Sequence, residues 1–193
     1  KMLYDGRNAM TDKELVQKVH NGNQEALGDI IERYYEDIFR FCLYMVREEE
    51  EAYDITQETF LKLWELDNVN DTENPKSYLL GIAVNLWKNQ CRKQMWRKQI
   101  ADIVPVSEES QIENFSAADS VEDTVISNQE KVLVQDAVNR LPEKLRIVVL
   151  LYYMENLKVA EIAEQMHESV SSIKSKLMRA RKYLRKELED SVL

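Results

Sequence analysis

The sequence predicts an all-α protein of two small helical domains joined by a flexible acidic linker, with a helix-turn-helix in the C-terminal domain. Three observations carry this expectation. Apolar residues recur in steps of three and four along most of the chain, the period of helices that bury one stripe. Only four Gly and three Pro occur in 193 residues, too few for the turns of a β fold. Charge is also uneven: residues 1–100 hold 14 basic and 18 acidic side chains, residues 101–135 one and eight, and residues 136–193 11 and nine. The nets are -4, -7 and +2 within a total of -9, and these shifts set the boundaries: an N-terminal domain over 1–100, a linker over 101–135 and a C-terminal domain over 136–193.

In the N-terminal part a short helix is expected from about Asp12 to His20, closed by the Asn21-Gly22-Asn23 turn. Leu27, Ile31, Tyr34, Ile38, Phe41 and Met45 then mark a long amphipathic helix. The acidic run REEEE leads into a third, AYDITQETFLKLWEL, whose Ala52, Ile55, Thr59, Leu63 and Leu66 share a face while Asp54, Gln57, Glu58 and Lys62 fall elsewhere. After the loop DNVNDTENP, Pro75 opens a fourth helix by fixing φ where no N–H is needed. Tyr78, Leu79, Ile82, Ala83 and Leu86 give it an apolar stripe. Its second half crowds Lys88, Arg92, Lys93, Arg97 and Lys98 beside Trp87 and Trp96. Cations interleaved with aromatics suit nucleic acid, since the charges neutralise phosphates and rings stack on bases; a solvated basic helix end gives the same pattern.

The stretch from 101 to 135 is rich in Ser, Asp and Glu and lacks sustained helical periodicity until about Val125. It reads as a spacer, either merely solubilising or with an acidic task of its own. In the C-terminal part Leu141, Leu145, Val148, Val149 and Tyr152 mark one helix behind Pro142, broken at ENLKV. Val159, Ile162, Ala163 and Met166 mark the next, and the connection His167-Glu168-Ser169 leads into SSIKSKLMRARKYLRKEL with Ser169 as its N-cap. At 100° per residue Ile173, Leu177, Ala180, Leu184 and Leu188 form one narrow stripe, and seven Lys or Arg wrap much of the rest. Two helices joined by a short turn, the second basic and opening on small polar residues, form a helix-turn-helix. Ser169, Ser171, Ser172, Lys174 and Ser175 would then meet base edges or phosphates in a major groove, with later cations on the backbone.

Other classes find little support. No apolar run reaches the roughly 18 residues of a membrane span and no segment resembles a signal peptide, so a cytoplasmic location is expected. Lys1 before Met2 reads as a tag remnant and is set aside. Cys42 and Cys91 stand far apart and His20 and His167 have no acids at ligand spacing, so neither a metal nor another cofactor is expected. Without a Gly-rich phosphate loop or a paired catalytic signature, no enzyme is expected either.

The C-terminal words EIAEQM, SVSSIKSKL and RARKYLRKEL closely resemble, in order and position, the promoter-binding C-terminal domain of sigma-70 family transcription initiation factors. DITQETFLKLWE resembles that family's core-polymerase-docking helix and YLLGIAVNLWKNQCRK its -10-reading helix. With no other domain present, the chain resembles the compact extracytoplasmic-function (ECF) subclass. The resemblance implies a non-catalytic subunit that docks on core RNA polymerase through Asp54, Gln57, Glu58 and Trp64. It implies -10 contacts by Asn85, Lys88, Asn89, Arg92 and Lys93, base capture by the loop from Asn68 to Pro75, and -35 contacts by Ser169, Ser171, Ser172, Lys174, Ser175, Lys176 and Arg179. The sequence departs from the family at Tyr78, usually Trp, at Val84, usually basic, at Asn89, usually Asp, and at His167, usually Gly, where a positive φ is needed.

The partners implied are core RNA polymerase, promoter DNA and an anti-sigma factor, in the family often membrane-anchored, with no membrane insertion of this chain. The acidic linker would thread a basic channel of polymerase, so neutralising its eight acids should lower polymerase affinity or change abortive synthesis. The competing function is a stand-alone helix-turn-helix regulator that binds duplex DNA unaided. A net charge of -9 disfavours it, because non-specific DNA affinity comes mainly from phosphate neutralisation.

Overall fold

The computed structural model describes residues 10–65, 74–101 and 125–192, and among them every regular element is helical. Leu66, the loop from Asn68 as far as residue 73 and linker residues 102–124 lie outside the described residues.

Among the described residues eight α-helices follow the sequence periodicity, and local chemistry sets most of their starts. Helix α1 (Asp12–His20) opens on Thr11, whose backbone N–H donates to the Glu14 carboxylate at 2.9 Å, a reciprocal cap. Gly22 at φ 77 turns the chain, and Asn23 then caps α2 (Gln24–Val46) by accepting from Ala26 N at 2.9 Å. Arg47 at φ 66 ends α2, and the Glu48 carboxylate accepts from Glu50 N at 3.0 Å to start α3 (Glu49–Glu65). Helix α4 (Pro75–Ala101) is capped by Asn74, which accepts from Ser77 N at 3.0 Å.

In the second half α5 (Val125–Asn139) crosses the boundary placed between residues 135 and 136. Helix α6 (Glu143–Val149) runs on through a π-helical turn (Leu150–Met154) closed by Glu155 N donating to Leu150 O at 3.1 Å. Asn156 at φ 55 breaks the helix within the ENLKV stretch. Helix α7 (Val159–Gln165) and α8 (Val170–Val192) flank a turn in which His167 adopts φ 51, the conformation expected at that position.

Helices α1 to α4 pack around α2, and α5 to α7 pack on α8. The two units also pack on each other, α2 against α6 and the π turn, and α4 against α7. Their cores merge: one apolar cluster runs from Leu15, Ile38, Phe41 and Met45 through Leu79 and Val84 to Ile147, Leu151, Ile162 and Ile173. Each such side chain contributes about 1.5–3 kcal/mol by leaving water. A smaller cluster of Leu141, Val149 and Ala180 seats α8 on α6.

Polar links stitch the same seam. Arg146, only 1 % exposed, donates to Met45 O at 2.8 Å and Asn139 O at 3.2 Å, while Arg47 reaches Asn139 O at 2.7 Å from the other side. Burial, with the like charge of Arg47 beside it, pushes the Arg146 guanidinium down to about 10. Lys76 of α4 bridges Asp37 at 2.9 Å and Glu155 at 2.8 Å. Burial would lower its pKa, but the two carboxylates outweigh this and raise it.

Candidate polymerase and nucleic-acid interfaces

Three surfaces follow from which helix positions the core consumes. On α3 the core takes Ala52, Ile55, Thr56, Thr59, Phe60 and Leu63. The two threonines tolerate burial because each hydroxyl donates to a carbonyl one turn back, Thr56 to Ala52 O and Thr59 to Ile55 O, both at 2.7 Å. Asp54, Gln57 and Glu58 are left exposed on the opposite side. Leu61 is 60 % exposed and three residues beyond Glu58, so an apolar side chain completes their face. Leu61 is not among the residues expected to dock, although it continues the i, i+3, i+4, i+7 spacing from Asp54. Trp64 is half-buried against the core. An acidic rim around one apolar anchor suits a basic, partly apolar partner helix.

Helix α4 carries two neighbouring stripes. Asn85 is half-buried, whereas Asn89, Arg92 and Lys93 are exposed, and Arg92 donates to Asn89 Oδ1 at 2.9 Å. At 100° per residue Asn85, Asn89, Arg92 and Trp96 fall within about 60° of one another, and Trp96 is 68 % exposed. Trp87 is not part of this surface; it is a core residue. The second stripe, Ser77, Gly81, Val84 and Lys88, spans another ~60° about 80° away, and it meets the other unit. Gln165 of α7 donates through Nε2 to both Ser77 O and Ser77 Oγ at 2.7 Å, and a Cβ placed on Gly81 would lie 3.3 Å from Gln165 Cγ. Val84, where the family resemblance would put a base, is fully buried. Lys88 donates to Met166 O in the helix-turn-helix turn, and burial lowers its pKa.

Helix α8 is simpler. Ile173, Leu177 and Ala180 are buried, and Ser171, Lys174, Ser175, Arg179, Arg181, Lys182, Arg185 and Lys186 are exposed, so the cations form one continuous outer surface. Ser169 accepts from Ser172 N at 3.2 Å and is the N-cap. Ser172 is half-buried and donates to Glu168 at 2.7 Å. Lys176 is 9 % exposed and ion-paired with the same Glu168 carboxylate. The structure therefore brings together Ser169, Ser171, Lys174, Ser175 and Arg179 at an open helix start, while Ser172 and Lys176 serve the turn. Arg181 donates to Tyr153 Oη at 2.7 Å and lies over the Tyr152 and Tyr153 rings. Among the described residues no group of three His, Cys, Asp or Glu could hold a metal ion.

Comparison with known proteins places these surfaces in context. Residues 30–97 match the family model for Sigma-70 region 2, and residues 131–184 that for Sigma-70, region 4. The chain is 31 % identical over 184 residues to the ECF RNA polymerase sigma factor SigW of Bacillus subtilis, covering 94 % of this chain and 98 % of that one. It is 28 % identical to the ECF RNA polymerase sigma-E factor of Escherichia coli, covering 89 % and 91 %. In structure it is similar to CnrH solved with the cytosolic domain of CnrY (TM-score 0.63, 20 % identity, 94 % and 99 % covered). It is also similar to the sigma factor RpoE solved with the anti-sigma factor NepR from Bartonella quintana (TM-score 0.61, 21 % identity, 84 % and 96 % covered).

Proposed function

The chain belongs to the extracytoplasmic-function sigma factors of the sigma-70 family, and on that premise we propose how its parts divide the work of transcription initiation. An ECF sigma factor binds core RNA polymerase and directs initiation at promoters by recognising -35 and -10 elements. Residues 1–100 would supply polymerase docking and -10 reading, residues 136–193 would read the -35 element, and the acidic stretch between them would join the two. Docking falls to Asp54, Gln57 and Glu58 around Leu61, with Trp64 supporting the helix from the core side. The -10 contacts fall to Asn85, Asn89, Arg92 and Lys93 on the open stripe of α4, with Lys88 joining once it leaves Met166. The -35 contacts fall to Ser169, Ser171, Lys174, Ser175 and Arg179, with Ser172 and Lys176 holding the turn that aims them.

One observation carries this division: a single chain presents an acidic face with an apolar anchor and, on separate helices, two cationic surfaces, in the order of the two matched regions. The protein acts as a non-catalytic subunit, and we place it in the cytoplasm with its polymerase; no helix among the described residues is long and apolar enough to cross a membrane. Because two solved proteins of like fold are bound to an anti-sigma factor or a partner's cytosolic domain, an anti-sigma factor is the expected restraint here too. The test is co-purification with core polymerase followed by run-off transcription on random promoter fragments. Polymerase-dependent run-off is expected. Tight binding to duplex DNA alone, with no polymerase association, would instead establish the stand-alone regulator.

A further inference from the structure

Arg181 is an exposed cation of α8 whose side chain is held by another element. Lys174 and Arg185, exposed as it is, fall within about 40° of it around the helix, so it belongs to the cationic outer surface. Seven residues beyond Lys174, it lies about 10 Å farther along the axis, close to the ~12 Å width of a major groove. With the start of α8 at base edges, Arg181 is thus at the rim of the groove, where the phosphates run.

The holder is the π-helical turn. Tyr152 is half-buried against the main core, and Tyr153 meets it edge to face, with ring centroids 4.9 Å apart and planes at 82°. Tyr153 is therefore fixed although it is 52 % exposed. The Arg181 guanidinium lies 5.9 Å from the Tyr152 centroid and 5.8 Å from that of Tyr153, within cation–π reach, and its Nε donates to Tyr153 Oη at 2.7 Å. This bond spends Nε and leaves aside the two terminal amino groups, the end-on fork that grips a phosphate. Among the described residues no carboxylate is ion-paired with Arg181, whereas Lys176 is paired with Glu168. Because water competes for an exposed bond, the contact adds little to stability; its effect is to set where the fork points.

We propose that Tyr153 is a positioning residue for promoter reading: it presets Arg181 as a clamp on one phosphate of the DNA backbone beside the -35 element. This rests on the reading of α8 as the -35 helix. A free arginine side chain gives up its rotamers to hold a phosphate, and one already seated on two rings and a hydroxyl gives up less. A phosphate contact carries no sequence information of its own. It fixes the depth and register of α8 in the groove, so that Ser171, Lys174 and Ser175 meet the base edges.

The test is a double-mutant cycle in the holoenzyme, on a duplex fragment chosen for polymerase-dependent run-off. Tyr153→Phe keeps both rings and removes only the hydroxyl; it should weaken binding about threefold to tenfold with the thermal midpoint unchanged. Arg181→Ala should weaken binding about fivefold to thirtyfold and reduce the salt slope by about one. The two losses should not add: with Arg181 already replaced by Ala, Tyr153→Phe should change binding less than about twofold. In a scan of single neutral methylphosphonates along the -35 strands, one position should weaken the wild type while leaving Arg181→Ala unaffected. Wild-type affinity in Tyr153→Phe, additive losses in the double variant, an Arg181→Ala salt slope equal to that of wild type, or the absence of such a methylphosphonate position overturns the proposal. A wild-type holoenzyme that gives run-off from no fragment would instead overturn the sigma-factor reading.

Discussion

Helices α4 and α8 are both long, basic along much of their length and implicated in DNA contact, yet the structure uses them differently. Helix α8 has one buried stripe, Ile173, Leu177 and Ala180, and a wide cationic remainder. Helix α4 is claimed on two sides, by its own bundle through Leu79, Leu80, Ala83 and Trp87 and by the opposite unit through Ser77, Gly81 and Lys88. What remains for DNA on α4 is a narrow strip. Positive charge marks both helices as candidates, but only burial says how much of each is available, and it leaves α4 the narrower exposed surface.

The largest effect should come from the stripe that fixes α8. Ile173→Ala removes a fully buried side chain and should cost about 3 kcal/mol in denaturant unfolding. Val84→Ala, fully buried on α4, should cost about 2 kcal/mol. A Val84 cost near zero would break the comparison, since α4 would then not be held on its second side.

A smaller difference should separate two cations of α8 itself. Arg179→Ala, at an exposed position, should weaken holoenzyme binding to the -35 element about fivefold to thirtyfold and reduce the salt slope by about one, without loss of stability. Lys176→Ala should act the other way, lowering stability by about 1 kcal/mol through the abandoned Glu168 and changing DNA affinity less than Arg179→Ala does. Filter binding across a salt series, beside thermal melts, distinguishes the two.

The smallest effect is a pH dependence at the turn. Burial pushes the Glu168 carboxyl up, but hydrogen bonds from Lys176 and Ser172 outweigh it and hold the group below the usual carboxylate range. A folded pKa below the unfolded one adds stability that is full above the unfolded value of about 4.3 and is lost as pH falls through the folded value. Wild type should therefore lose stability relative to Glu168→Gln as pH falls from 6 through the carboxylate range, as read from denaturant midpoints.

Much of the fold was legible because each helix has at least one apolar face that repeats every three or four residues. The spans from Asp12 to His20 and from Val159 onward and the Ser169 cap follow from local chemistry, and the positive φ of His167 from the family resemblance. The second side of α4 was not legible. Its docking stripe is made of Ser, Gly and Lys besides Val84, and hydropathy cannot distinguish such residues from a solvated surface. For the same reason Trp87, placed beside cations in the sequence, looked like a stacking residue and is core. Lys176 counted as one more DNA cation, because the pairing with Glu168 eight residues earlier depends on the turn between them.

The π-helical turn at Leu150–Met154 acts as a phase shifter. It holds one residue more than an α-helical turn would, so the chain beyond it leaves rotated by about 100° relative to an uninterrupted helix. That rotation helps decide which side of α7 meets α4, and it sets Tyr152 and Tyr153 edge to face beneath Arg181. Deleting one residue there would let the backbone relax into ordinary helix with its hydrogen bonds intact. It would also mistune Gln165 against Ser77, making the length of this turn, more than its composition, the quantity that sets that contact.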